Sequence, residues 1–150
     1  MIPRKPLRLT RINHDAEING TWVRYCYNDA MFLKIVRATR CERYIDAMLQ
    51  LKGSLDEGDV GYGLHEQHKN VAPKLAYYVG RYLVRNWHGK DADGDDLPPF
   101  DSETFTSAVQ FDDDLRSFIS AVSDDVTMFM DSNVRLTPDP SMKSYVPKPR

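Results

Sequence analysis

Apolar and polar positions recur with two different periods along this chain, and the change from one to the other marks out its elements. Thr21-Trp22-Val23-Arg24-Tyr25-Cys26-Tyr27 and Met31-Phe32-Leu33-Lys34-Ile35-Val36 are rich in β-branched and aromatic residues, and Asn28-Asp29-Ala30 between them is turn-forming. The pattern predicts a β-hairpin from Thr21 to Val36. On its second strand Phe32, Lys34 and Val36 share one face while Met31, Leu33 and Ile35 share the other. A two-stranded unit that is apolar on both sides needs something packed on it to be stable.

Beyond the hairpin the period lengthens to that of a helix. Thr39 can cap a helix in which Tyr44, Ile45, Met48, Leu49 and Leu51 are spaced mainly three and four apart, with Gly53 as its terminator. The glycine-rich run from Gly53 to Gly63 reads as a loop. A second helix is expected around Pro73, with Leu75, Tyr78, Val79, Tyr82, Leu83 and Trp87 along one side, weakened by Gly80 and stopped by Gly89. After an acidic turn, Pro98 and Pro99 forbid a helix, and Asp101 or Ser102 can cap a short one through Val109. Asp112-Asp113-Asp114 then suits the N-terminus of a long helix whose stripe is Leu115, Phe118, Ile119, Val122, Val126, Phe129 and Met130. Residues 1–17 predict a loose N-terminal arm, and Pro138, Pro140, Pro147 and Pro149 predict a disordered tail over 137–150. The expected fold class is therefore α+β, predominantly helical: one domain over residues 1–136, with a small N-terminal β-hairpin packed on roughly three to four helices.

Composition narrows the function classes. With 41% hydrophobic and 28% charged residues in 150, the chain has the balance of one globular domain rather than of a disordered or membrane protein. No apolar run approaches the ~18 residues of a membrane span, and Met1-Ile2-Pro3-Arg4-Lys5 is not followed by the core of a signal peptide, so a cytoplasmic location and no membrane partner are expected. Cys26 and Cys41 then read as reduced thiols, with Cys26 an inert packing residue on a strand. The net charge of -2 hides a polarity along the chain. Residues 1–52 carry ten Lys/Arg against five acids, and residues 91–133 carry twelve acids against Arg116 alone. Such asymmetry marks a partner surface, a head-to-tail homo-oligomer, or two solvated faces that happen to differ.

No enzyme is indicated. His65-Glu66-Gln67-His68 places its histidines three apart, whereas the zinc-protease arrangement needs them four apart, and only His14 and His88 remain as further ligands. Asp91, Asp93 and Asp95 imitate the start of a calcium loop, but its sixth position is Asp96 instead of glycine and its twelfth is Ser102 instead of glutamate. No nucleophile elbow, P-loop or dinucleotide fingerprint is present, so no cofactor and no metal is expected. Trp22, Tyr25 and Tyr27 beside the basic N-terminal region fit a strand core better than a nucleic-acid platform, because the near-neutral chain lacks the strongly basic balance of such modules.

Two clusters carry a resemblance. Gly20-Thr21-Trp22-Val23, a hairpin ending in Lys34-Ile35-Val36-Arg37, and Tyr44 before Met48-Leu49 form the first. The second is Val84-Arg85-Asn86-Trp87-His88-Gly89, a turn at Asp93-Gly94, Leu97-Pro98-Pro99-Phe100, a short helix, and a final helix ending in Phe129. In this order, over residues 18–131, they resemble the tail assembly chaperones encoded upstream of the tape measure protein in siphophage genomes. Asn86 stands where that family often has an acid, the proline is doubled, and the loop from Gly53 to Gly63 has no counterpart. The resemblance implies a host-cytoplasmic protein that holds the tape measure protein until tail tube protein polymerises around it, and that is absent from the mature virion. It also singles out Trp22, Trp87, Gly89, Leu97, Pro98, Phe100, Phe118 and Phe129 as family-motif or partner-binding positions. Taken as packing alone, the long stripe is core and Trp87 is a core anchor. The reading of another class is a structural virion protein, such as a head-tail connector or tail completion subunit.

Overall fold

The computed structural model describes residues 11–57, 64–142 and 145, and the side chains of residues 54–72 lie outside that description. Strand β1 (Thr21–Tyr25) pairs antiparallel with β2 (Asn28–Ile35) in the register Thr21↔Ile35, Val23↔Leu33 and Tyr25↔Asn28. The chain reverses at Cys26-Tyr27, not at Asn28-Asp29-Ala30 as expected, and Cys26 therefore lies in the turn and not on a strand. Asn28 uses its turn-forming side chain elsewhere: its amide donates to the Lys90 carbonyl at 3.0 Å and accepts from the Ala30 N–H at 3.1 Å.

A third strand corrects the expected helix through Trp87. Helix α3 (Leu64–Tyr82) stops before Leu83, and β3 (Val84–Gly89) pairs antiparallel with β2 through Ile35↔Val84, Leu33↔Trp87 and Met31↔Gly89. The switch begins where Val36 N–H donates to the Leu83 carbonyl at 3.0 Å. A helix over 84–89 would leave the inner row of β2 amides and carbonyls unpaired beneath the packed helices, a cost that outweighs any local helical pattern. The sheet order is β1-β2-β3.

One face of this sheet, carrying Val23, Tyr25, Leu33 and Ile35, packs on Leu83 and on Val79, Phe105, Val109, Phe118, Ile119 and Val122 from the helices. On the other face Trp22 and Phe32 each lie edge-on or tilted against the His88 ring, and the Arg24 guanidinium sits 5.5 Å from the centre of the Phe32 ring. Helix α3 begins at Leu64 and carries Pro73 inside it, instead of beginning near Pro73. Gly80 does not weaken α3 without return: a Cβ there would meet Thr106 Cα at 3.0 Å and Val109 Cβ at 3.2 Å, so the glycine lets the next helix approach closely.

Helix α2 (Glu42–Glu57) follows a 3₁₀ turn (Ala38–Arg40) that contains Thr39, and it runs through Gly53 instead of ending there. Ala47 and Leu51 are buried, while Ile45 and Leu49 of the expected stripe are 36% and 61% exposed. Each of those two stands one residue on from an inward-facing position, ~100° around the helix. Residues 58–63, most of the expected loop, lie outside the described residues.

Helix α4 (Ser102–Gln110) starts where its sequence requires, with the Asp101 carboxylate accepting from the Glu103 and Thr104 N–H groups. Those bonds and the Thr104 hydroxyl, which is the largest influence, hold the Asp101 carboxyl below its usual range. Helix α5 (Asp113–Asp124) is capped by Asp112, whose side chain accepts from Leu115 N–H at 3.0 Å. The expected single helix to Met130 breaks at Asp125, which adopts an extended backbone and caps a second 3₁₀ turn (Val126–Phe129) by accepting from the Thr127 N–H and hydroxyl at 3.0 and 2.6 Å. Side-chain competition of this kind is why aspartate favours helix ends over interiors.

Both termini are more engaged than expected. Residues 11–17 are no loose arm: Ile12 bridges to Met130, Asn13 caps α1 (His14–Asn19), and Glu17 is buried facing His14, Arg37 and Arg40. The fold also continues past residue 136, because Tyr145 packs edge-on against Phe118 and its hydroxyl donates to Asp125 Oδ2 at 3.1 Å. Residues 1–10, 143–144 and 146–150 lie outside the described residues.

Candidate functional site

The eight singled-out positions separate into two groups. Trp22, Phe118 and Phe129 are 7%, 2% and 0% exposed, so they are core residues and offer no contact surface in this fold. Phe118 is buried between the helices and one sheet face, whereas Trp22 is buried on the opposite face beside His88. Trp87, Gly89, Leu97, Pro98 and Phe100 instead meet around one cleft of about 570 Å³, together with Asn86, His88, Lys90, Asp96 and Pro99.

The cleft has a simple origin in backbone chemistry. After the acidic turn the chain folds back along β3, and Leu97 N–H donates to the Gly89 carbonyl at 2.9 Å. Pro98 and Pro99 have no N–H to continue the pairing, so the two segments part. The Trp87 indole bridges the gap, its Nε1–H donating to the Pro98 carbonyl at 2.6 Å. Its ring meets Phe100 and Phe105 edge-on at centroid distances of 5.6 and 5.7 Å. Trp87 is half-buried: its inner side is the expected core anchor, and its outer side forms a wall of the cleft.

Gly89 is fixed by geometry. Its φ is +109°, and a Cβ would stand 1.9 Å from the Ala30 carbonyl oxygen. The close approach lets Lys90 N–H donate to that same oxygen at 2.9 Å, which turns the chain out of β3.

The turn at residues 91–96 is built around one carboxylate. Asp91 Oδ1 accepts from the N–H groups of Asp93 and Asp95 at 2.9 and 3.0 Å, and Asp91 N–H donates to the Asp95 carbonyl at 2.8 Å. Lys90 Nζ lies 3.3 Å from Asp96 Oδ1. Asp91 thus serves the backbone instead of converging with Asp93 and Asp95 on a common point. Among the described residues no group of three His, Cys, Asp or Glu side chains is placed to hold a metal ion. The side chains of His65 and His68 lie outside the described residues. Neither cysteine is set up as a nucleophile. Burial pushes the Cys26 thiol up, and Cys41 is buried with its Sγ 3.6 Å from the Tyr82 carbonyl.

Two large aromatic residues are mostly exposed, and Tyr27 lies outside the strand core expected of it. Tyr27 is 72% exposed at the tip of the hairpin, and Phe111 is 91% exposed at the corner between α4 and α5. Asn28 bonding to the Lys90 carbonyl brings the hairpin tip beside the acidic turn. Burial first of all, and then the Asp112 carboxylate, pushes the Tyr25 phenol up. The cleft has apolar walls from Trp87, Leu97 and Phe100 with Lys90 and Asp96 at its edge, and among the described residues its lining brings no acid, base and nucleophile together. No known family model, curated protein or solved structure matches the chain.

Proposed function

We propose that the chain is a tail assembly chaperone that binds the tape measure protein and keeps it soluble before tail tube polymerisation. The observation that carries the reading is a coincidence of pattern and place. The ordered residues behind the family resemblance, Trp87, Gly89, Leu97, Pro98 and Phe100, are spread over fourteen positions and line one surface cleft. Strand β3 and the proline-bearing segment after the acidic turn form the walls of that cleft, and the half-buried faces of Trp87, Leu97 and Phe100 offer apolar contact to a client whose helical stripes are uncovered until the tube assembles.

Co-expression with the tape measure protein tests this reading. The client stays soluble and co-purifies with the wild-type chain, and it does so at high salt, because apolar contacts survive screening. Replacing Leu97 and Phe100 together by serine abolishes co-purification while circular dichroism remains that of the wild type. A client that is insoluble with or without this chain refutes the proposal. Detection of the chain at ring stoichiometry in purified particles assigns it instead to a head-tail connector or completion subunit.

A further inference from the structure

Folding changes the meaning of the charge asymmetry in the sequence. The basic residues nearest α1 are largely spent inside the fold: Arg37 and Arg40 face Glu17 at 3.8 and 3.6 Å, and Arg37 also donates to the Ser123 carbonyl. The acids do not disperse in the same way. The hairpin tip with Asp29 and the turn with Asp91, Asp93, Asp95 and Asp96 gather at the end of the sheet where the cleft opens, joined by the bond from Asn28 to the Lys90 carbonyl. Among the described residues, Lys90 pairs with Asp96 there, which leaves Asp29, Asp91, Asp93 and Asp95 with no ion pair. Tyr27 stands exposed next to Asn28 at the hairpin tip.

We propose that this cleft and its carboxylate rim dock residues 1–10 of a second copy of the chain. That segment is complementary in both respects. It carries Arg4, Lys5 and Arg8 with no acid, and Ile2, Leu7 and Leu9 are apolar side chains of a size the cleft admits. Leu7-Arg8-Leu9-Thr10 alternates apolar and polar residues with a period of two. The Arg11 carbonyl accepts from Asp131 N–H and Ile12 bridges to Met130, beside the end of β1 where Trp22 N–H donates to the Arg135 carbonyl. The cleft opens at the opposite end of the sheet, so copies stacked end to end bring the basic segment of one to the acidic end of the next. Such a contact is heterologous and propagates along a chain of copies. The proposal rests on the cleft as a docking site and not on the identity of the client, and with no client present its test is separate from co-expression.

Charge reversal on the full chain decides it. Sedimentation velocity of the wild type at low salt shows mass rising with protein concentration, and the association weakens about tenfold or more between about 50 and 500 mM salt. R4E/K5E/R8E sediments as a monomer, and so does D93K/D95K, whose replaced side chains leave the Asp91 cap intact. Mixing the two variants restores association, because each now offers what the other lacks. A wild type that is monomeric at every concentration and salt overturns the proposal. So does self-association that survives either reversal, or a mixture that stays monomeric; docking of the segment within its own copy gives the first of these results, a wild type that does not associate.

Discussion

Gly89→Ala and Gly94→Ala form a matched pair that isolates what the β2–β3 junction demands. Both glycines have positive φ, +109° and +86°, so alanine at either position carries the left-handed penalty of about 1–2 kcal/mol. Part of that, about 0.4–1 kcal/mol, is returned because alanine restricts the unfolded chain. At Gly94 nothing lies within 4 Å of the added Cβ, and a net loss of about 0.5–1.5 kcal/mol is expected. At Gly89 the added Cβ falls 1.9 Å from the Ala30 oxygen and 3.0 Å from the Ala30 carbon, both backbone atoms. To relieve that contact β3 must move off β2, which breaks the bond from Lys90 N–H to Ala30 at about 0.5–1.5 kcal/mol and strains the one from Leu97 N–H to Gly89. The total for Gly89→Ala is then about 3–4 kcal/mol. In a chain of this size that lowers Tm by about 6–15 °C, against about 1–6 °C for Gly94→Ala. Urea titration followed by tryptophan fluorescence measures both, since Trp87 sits on β3 and Trp22 on β1. Losses equal to within about 0.5 kcal/mol would refute the steric argument and leave only the backbone conformation.

Other substitutions and conditions report on separate parts of the molecule. Trp87→Ala is expected to cost about 2–4 kcal/mol, from two edge-on ring contacts, the indole hydrogen bond and partial burial, whereas Trp87→Phe costs about 0.5–1.5 kcal/mol because water replaces the lost donor at the exposed Pro98 carbonyl; chemical denaturation separates them. Ser123→Ala leaves the buried Val36 carbonyl without the hydroxyl 2.7 Å away, and its expected cost is about 1–3 kcal/mol by the same assay. The Tyr145 phenol is pushed up to about 12, by burial first and then by the Asp125 carboxylate. The folded state therefore holds that proton more tightly than the unfolded chain. Its contribution is intact below pH 10.0 and is lost as pH rises toward about 12. Denaturant midpoints measured across that window should fall with pH, and Tyr145→Phe should flatten the fall.

The sequence determined those features whose cause is local. Asp101 and Asp112 cap their helices because a carboxylate three residues or fewer before a free N–H finds it without help from the rest of the chain. The alternation in Thr21–Tyr25 and Asn28–Ile35 and the stripe from Leu115 to Val122 likewise declare an α+β chain with a paired β1 and β2 and an amphipathic α5. Asp125 marks the limit of that reading: a stripe running on to Phe129 looks like one helix, but a side chain that caps its own successor ends it, and Phe129 reaches the core through a 3₁₀ turn. The tertiary structure alone decided that Val84–Gly89 is a strand, because the unpaired edge of β2 lies some fifty residues away and leaves no trace in the local period. It also decided the candidate site. Phe118 is as aromatic as Trp87 and Phe100, and only the packing of helices over one sheet face buries it. Only the failure of Pro98 and Pro99 to pair with β3 opens a cleft beside the other two. Exposure is a property of the assembled surfaces, and no residue carries it in its own chemistry.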